Sequence, residues 1–376
     1  MRLLYILFEE ITQSSGVSKK VLAQCNGLRA NGVDVDLLSL KDNNGELMAV
    51  LNGDYIYSYG RSILRYLRLL FIFGHIIRYI KANQISEVYV RFPRKNPFFP
   101  LFFRTIRKLR VKSLLEIPTY PYDREKVRSR NLYLCLCLRF LTMLDDFSRL
   151  FYKYYVDRIV TVQDYDQIFG VPTIKISNGI DLNKIPLRTC QKHKGYNFVG
   201  VAQLASWHAY ERLIEGIGEY YKNGGTEDVH FYIIGNNENV SSDYMKYILK
   251  YKIFDHIHLE GPKFGEELNQ YFNLADFAIG SLGGHRKGLF DAKPLKCVEY
   301  AARGIPFVYS EKNTDFDHCS FIMKVPQDET PIDVSQIINY IDNFNVAPVD
   351  IRNYVKANLT WDVQMQKVLS ELQLIR

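Results

Sequence analysis

The chain has 376 residues, of which 47% are hydrophobic and 24% charged, a globular composition that excludes a disordered or fibrous protein. That length exceeds what one hydrophobic core usually serves, so two domains are expected. The net charge of +7 is unevenly placed: residues 1–185 carry 28 Lys/Arg against 17 Asp/Glu and residues 186–376 carry 20 against 24, the excess sitting in residues 51–150 with 19 against 7. Such a basic block asks for an anionic partner or surface.

No apolar run reaches the roughly 18–20 residues of a membrane-crossing helix. The stretch LLYILFEE after Arg2 turns acidic too early for a secretory signal, so a cytoplasmic protein is expected. Cys25, Cys135, Cys137, Cys190, Cys297 and Cys319 form no C-x-x-C pair and no histidine-spaced cluster. They are expected to be reduced thiols, with neither a disulfide framework nor a zinc site.

In chain order, a buried strand at Leu3–Leu7 leads through a Ser/Gly loop containing Gly16 into a helix with apolar Val17, Val21, Leu22 and Leu28. Asn31-Gly32 stops that helix, and a second strand follows at Val33–Leu38. This is an opening βαβ, whose first loop lies at the ligand crevice of a doubly wound sheet. It has no G-x-G-x-x-G, so a dinucleotide fingerprint is absent. SEVYVRF (86–92), KSLLEIP (112–118) and DRIVTVQD (157–164) read as further parallel strands.

After ISNGIDLNKIPL the pattern restarts with strand YNFVGVAQ, helix AYERLIEGIGEYYKNG, and strands VHFYIIG (ending at Gly235), HIHLEG, LADFAIGSL and IPFVYS. The class is α/β, with two Rossmann-like domains at 1–185 and 186–358. A final helix over 359–376 packs near their junction, with Trp361 as a wedge or simple core residue. RSILRYLRLLFIFGHIIRYIK (61–81) sets Arg61, Arg65, Arg68 and His75 on one stripe opposite Leu, Ile and Phe. RFPRKNPFFPLFFRTIRKLRVK (91–112) interleaves cations with phenylalanines that look exposed. The two segments point to peripheral contact with an anionic membrane rather than to nucleic acid, for which no motif is present.

The richest segment is GLFDAKPLKCVEYAARGIPFVYS, residues 288–310. A helix begins after Pro294, at the carboxyl end of a parallel strand, and Gly304 and Pro306 end it. The free N–H groups of Leu295, Lys296 and Cys297, with the positive end of the helix dipole, make an anion site. Lys293 and Lys296 add charge, as do His285, Arg286 and Lys287 from the loop. Asp291 and Glu299 suit hydroxyl groups, although Glu299 alone could be an ordinary dipole-compensating acid. The implied ligand has phosphates in its middle and sugar hydroxyls at both ends.

Asp291, seven residues, Glu299, four residues, Gly304, Ile305, Pro306 resembles the donor motif of the retaining GT-B glycosyltransferases of the family 4 type. That motif is Glu, seven residues, Glu, four residues, Gly-x-Pro. SNGID (177–181) and HAYERLIEGI (208–217) resemble two further segments of that superfamily. The resemblance implies two Rossmann-like domains facing across a deep cleft, with the C-terminal helix crossing back to the N-terminal domain. It implies metal-independent hexosyl transfer with retention from a UDP- or GDP-sugar, and no cofactor. Glu299 would bind the ribose and the first acid the hexose; Asp291, one methylene short, bears on which sugar is taken.

The family's phosphate-binding Arg and Lys correspond here to Val201 or Gln203, and to His208. Arg286, Lys287, Lys293 and Lys296 are therefore expected to share that work. Gly16 lies in the loop that covers the donor phosphates in the family. Glu116, Asp123 and Glu125 are candidates to orient or deprotonate an acceptor hydroxyl. LLEIPTYPYDREK and WHAYERLIEGIGEYY are most similar to a bacterial subgroup that builds capsule, lipopolysaccharide O-antigen or exopolysaccharide. The acceptor would then be a polyisoprenyl-diphosphate-linked glycan at the inner membrane face. A GT-B isomerase or phosphorylase, and a non-catalytic sugar-nucleotide binder, are the competing readings.

Overall fold

A computed structural model describes the chain except residues 13–14, 45, 60–64, 93–96, 119, 121–142, 237, 289 and 376, and gives the backbone alone for 65–71 and 239. Two compact units result, Met1–Ile176 with Trp361–Arg376, and Ser177–Thr360.

The first unit contains β1 (Arg2–Ile6), β2 (Asp34–Asn43), β3 (Glu46–Leu51), β4 (Asp54–Ser58), β5 (Glu87–Arg91), β6 (Lys112–Glu116), β7 (Arg158–Thr161), β8 (Gln167–Ile168) and β9 (Val171–Lys175). They form one sheet in the order β4-β3-β2-β1-β5-β6-β7-β9-β8. Pairing is parallel from β2 to β9, and β3, β4 and β8 are antiparallel additions at the edges. The β3–β4 hairpin turns at Asn52 (φ 53°) and Gly53 (φ 102°), the paired positive dihedrals that a tight two-residue hairpin loop requires.

Alternation along the strands sends successive side chains to opposite faces. Leu4, Ile6, Val88, Val90 and Leu115 face a core built with α2 (Arg65–Ala82) and α3 (Phe99–Lys108). Leu3, Tyr5, Tyr89, Leu114 and Val160 face α1 (Gly16–Ala30). The sequence suggested exposed phenylalanines in 91–112, but Phe99, Phe102 and Phe103 are buried in the α2/α3 core, because α3 turns its aromatic stripe inward. His75 packs against the rings of Tyr57 and Tyr59. The side chains of Arg61, Arg65 and Arg68 lie outside the described residues. This unit instead exposes Leu101, Phe147, Leu150 and Tyr154.

The second unit holds β10 (Tyr196–Val201), β11 (Val229–Ile234), β12 (Ile257–Gly261), β13 (Phe277–Ile279), β14 (Phe307–Tyr309) and β15 (Ile322–Lys324), in the order β12-β11-β10-β13-β14-β15. Every pairing in this sheet is parallel. Its helices include α4 (Glu211–Lys222), α5 (Glu238–Tyr251), α6 (Gly265–Leu274), α7 (Leu295–Ala302), α8 (Val334–Asp342) and α9 (Pro348–Asn358). The order reverses between β10 and β13, so the crevice at their carboxyl ends is where an open α/β sheet binds ligands.

The last helix, α10 (Trp361–Gln373), belongs to the first unit. Trp361, Met365, Val368 and Leu372 join Val21, Cys25 and Leu28 of α1 in one core. A Cβ on Gly27 would lie 2.6 Å from the Trp361 carbonyl oxygen, so glycine permits the close approach of the two helices. Among the described residues no helix is long and apolar enough to cross a membrane.

Candidate functional site

At the carboxyl end of β13 the chain passes through residues 280–294 into α7. Two backbone bonds fix the end of that loop: Ala292 N–H donates to the Lys312 carbonyl at 3.0 Å, and Lys312 N–H to that of Phe290 at 2.9 Å. Asp291 remains exposed between them, with Lys312 Nζ 3.9 Å away.

Pro294 occupies the cap position of α7 with extended backbone and no side-chain cap. Of the three N–H groups expected to be free, that of Cys297 is taken by the Pro294 carbonyl at 3.2 Å, a tightened first turn. The N–H groups of Leu295 and Lys296 meet no acceptor among the described residues. Lys296 Nζ donates to Tyr210 Oη at 3.2 Å, and Tyr210 in turn donates to the Ile279 carbonyl at 3.2 Å. Burial pushes the Lys296 amine down to about 8, since no carboxylate pairs with it directly. A desolvated ammonium and two open N–H groups at one helix start are features that suit an anion.

One turn further along α7, Glu299 Oε1 accepts from Arg303 Nε at 3.0 Å and Nη2 at 2.9 Å. Arg303 is itself held by Asn269 Oδ1 at 2.8 Å and by the Phe272 ring. Glu299 Oε2 has no partner among the described residues, so the carboxylate is oriented with one oxygen open.

Several expected phosphate cations are already committed. Arg286 is bound by Glu211 and Glu329 and by the Ser206 carbonyl, and His285 Nε2 lies 2.7 Å from Glu329 Oε1. Lys293 Nζ sits 2.9 Å from Asp315 Oδ1 and 3.3 Å from Ser177 Oγ. Lys287 lies over the Trp207 ring. His208 is buried, and its Nδ1 accepts from the Ala205 N–H at 3.1 Å, which leaves its proton on Nε2. Burial, then Lys296 and Lys287, push its pKa down to about 3. It can give a neutral hydrogen bond but carries no positive charge.

Gln203 is exposed on the loop after β10. Gly235, at the end of β11, has φ 141°, and a Cβ there would lie 1.7 Å from the Ala202 carbonyl oxygen. Glycine is thus required for the two loops to meet at the rim.

In the first unit, Ser15 Oγ caps α1 by accepting from the Ser18 N–H at 3.3 Å, and nothing lies within 4 Å of a Cβ on Gly16. Glu116, expected as a candidate base, is instead sealed and saturated. It accepts from Tyr5 Oη at 3.1 Å, Gln24 Nε2 at 3.1 Å and Tyr89 Oη at 3.0 Å, with Lys20 Nζ at 3.1 Å and Arg91 Nη1 at 3.0 Å. Burial opposes its ionisation, but Lys20, Arg91 and these hydrogen bonds hold its pKa at about 2. Such a carboxylate ties α1, β1, β5 and β6 together and cannot take an acceptor proton. Asp123 and Glu125 lie outside the described residues.

The sequence reading overlooked Arg303, Tyr210, Glu211, Glu329, Asp315 and Glu311. Only Arg303, four residues after Glu299 on one helix face, left a local signal. Glu311 follows β14 buried, with its pKa raised by burial and Oε2 unpartnered.

No protein-family model matches the sequence, and no curated protein does. Solved structures match along its length. A glycosyltransferase from Rickettsia africae ESF-5 has a TM-score of 0.64 at 12% identity, covering 100% of this chain and 98% of its own. The apo lipopolysaccharide outer core galactosyltransferase WaaB has 0.63 at 11%, covering 100% and 99%. Anabaena Alr3699/HepE, in complex with UDP and glucose, has 0.57 at 11%, covering 98% and 99%. At such identities the likeness is one of fold, and the chain has the GT-B fold of these glycosyltransferases.

Proposed function

We propose that the protein is a retaining glycosyltransferase. It takes a hexose from a UDP- or GDP-sugar and passes it to a polyisoprenyl-diphosphate-linked glycan during synthesis of a bacterial surface polysaccharide. The observation that carries this reading is the start of α7: two open N–H groups, the Lys296 amine beside them, and Glu299 with one oxygen free, together at the carboxyl ends of β10 and β13. In this reading the N–H groups of Leu295 and Lys296, with Lys296 Nζ, hold the diphosphate. Glu299 Oε2 accepts from the ribose hydroxyls, Asp291 accepts from the hexose, and His208 Nε2–H gives an uncharged bond. Gln203 and Gly235 form the rim.

The reaction breaks the bond between the hexose C1 and the β-phosphate oxygen, whose electron pair stays with the nucleoside diphosphate. The acceptor hydroxyl oxygen forms the new bond to C1 on the same face, and its proton passes to the departing phosphate oxygen. No side-chain base and no cofactor is needed for this route, in keeping with the saturated state of Glu116. Charge growing on the β-phosphate meets the fixed dipole of α7 and the Lys296 ammonium, preorganised electrostatics that take the place of a metal ion.

The acceptor side rests on the first unit. Its basic stretch and its exposed Leu101, Phe147, Leu150 and Tyr154 suit the anionic inner face of a cell membrane, where a lipid-linked glycan would be met. The test is incubation of the purified protein with UDP-, GDP- and dTDP-sugars and a lipid-linked acceptor. Transfer with retained anomeric configuration is expected. Turnover of a nucleotide sugar without acceptor would make it an isomerase, and donor binding without any turnover would make it a binder.

A further inference from the structure

At the starts of β11 and β12, the end of the sheet opposite α7, four titratable side chains meet. Asp228 and His230 alternate onto one face of β11, and His256 and His258 onto the same face of β12, where Tyr232 pairs in register with His258. We propose that Asp228, His230 and His256 form a binding site for a first-row divalent cation of the Zn2+ type, which staples the starts of these two strands.

The three residues offer ligand atoms all within 4.8 Å of one another. Asp228 Oδ1 lies 3.2 Å from His230 Nε2 and 3.8 Å from His256 Nδ1. A tetrahedral zinc ion, about 2.0–2.1 Å from nitrogen and oxygen ligands, sets its ligand atoms roughly 3.3–3.4 Å apart; the Asp228–His230 separation already matches this, and His256 has to move closer to complete the site. One carboxylate with two imidazoles is also the donor set that suits Zn2+ rather than Mg2+ or Ca2+.

The surroundings hold these groups in place. The Asp228 carbonyl accepts from the Tyr196 N–H at 2.8 Å, and a Cβ on Gly195 would come within 2.1 Å of that carbonyl, so the backbone there is pinned. His230 Nδ1 lies 3.1 Å from His258 Nε2, the outer hydrogen bond that orients a metal-binding imidazole. Tyr221 stacks on His256 with ring centroids 4.3 Å apart, and Tyr232 on His258 at 4.5 Å. His256 Nδ1 is also 3.0 Å from the Val229 carbonyl and 3.1 Å from Tyr221 Oη; a proton held there in the metal-free protein moves to Nε2 when Nδ1 takes the metal. Asp228 is half exposed, which gives the ion an entry path and leaves a fourth position for water.

The cation is remote from the α7 site, so the inference stands whether or not glycosyl transfer is the activity. The sequence carries its trace as D-x-H at 228–230 and H-x-H at 256–258, unlike the cysteine spacings that first exclude zinc. The test is calorimetric titration of the chelator-treated full chain with ZnCl2, with melting followed in parallel. One Zn2+ per chain and a rise in Tm are expected, with no response to MgCl2. His230→Ala with His256→Ala should weaken binding by at least about tenfold and abolish the Tm rise, and His258→Ala should weaken it less. If the double variant does not fold, Asp228→Asn decides, because its side chain is half exposed. Equal Zn2+ affinity in the wild type and Asp228→Asn, or no binding by the wild type, overturns the proposal.

Discussion

Arg303 places two N–H groups on a single oxygen of Glu299 and leaves the other oxygen bare. The bare oxygen is placed to accept from a ligand hydroxyl in the reading proposed above. Glu299→Ala should weaken UDP or GDP binding by roughly 10- to 150-fold, the equivalent of the ~1.5–3 kcal/mol of a hydrogen bond to a charged group. Calorimetry measures it, and undiminished affinity would remove Glu299 from the site.

Lys296 should make donor binding depend on pH. Burial lowers its amine to about 8, so it carries a proton at pH 7 and loses it as the pH rises through that value. Diphosphate binding favours the charged form, so UDP affinity should fall between pH 7 and pH 9.5. In Lys296→Met affinity should be lower at pH 7 and nearly flat across this range. His208, already neutral throughout, adds nothing to the slope.

Glu116 should matter for stability and not for the donor. Its pKa is depressed from 4.5 to about 2, so its contribution is fully present above pH 4.5 and is lost as the pH falls through about 2. Glu116→Ala strands Lys20 and Arg91 and should cost about 3–5 kcal/mol in denaturant unfolding. It should also flatten the acid limb of the stability curve, while UDP affinity stays that of the wild type.

Two glycines of α1 separate packing from function. Gly27→Ala presses a methyl group against the Trp361 carbonyl and should cost roughly 1–3 kcal/mol. Gly16→Ala meets empty space and should leave the melting temperature unchanged. A loss of UDP affinity in Gly16→Ala would give that loop a part in donor binding.

Membrane contact has a simple assay. Phe147→Ser with Leu150→Ser should reduce sedimentation with phosphatidylglycerol vesicles by about tenfold or more, since each side chain is worth roughly 1.5–3 kcal/mol when buried. Added salt should weaken the wild type further. Equal sedimentation of wild type and variant would argue against this surface.

Strand and helix order was legible where periodicity was strong. Leu3–Ile6, Val88–Val90 and Leu114–Leu115 are the apolar runs of a sheet covered on both faces. The β3–β4 hairpin was less legible although Asn52-Gly53 is a direct turn signal, because ELMAVL shows no apolar-polar alternation and DYIYS is short and wholly exposed. The start of α7 and the spacing of Glu299 were readable because they depend on neighbours along the chain. The occupancy of the cations was not. Arg286 is neutralised by Glu211 and Glu329, 75 and 43 residues away, and Lys293 is held by Asp315 across a turn of the fold. Glu116 likewise looks like an open acid until Tyr5, Gln24 and Tyr89 are seen to surround it.

The first unit is assembled from both ends of the chain, whereas the second is one uninterrupted stretch. During synthesis the sheet strands of the first unit all emerge before Ser177, yet the side of α1 that packs on α10 stays uncovered until Trp361, Met365, Val368 and Leu372 have been made. The second unit can close its core first, and the N-terminal one waits for the final helix, presenting in the interval the surface that a chaperone would cover. A stop codon before Trp361 would accordingly injure the beginning of the protein more than its end.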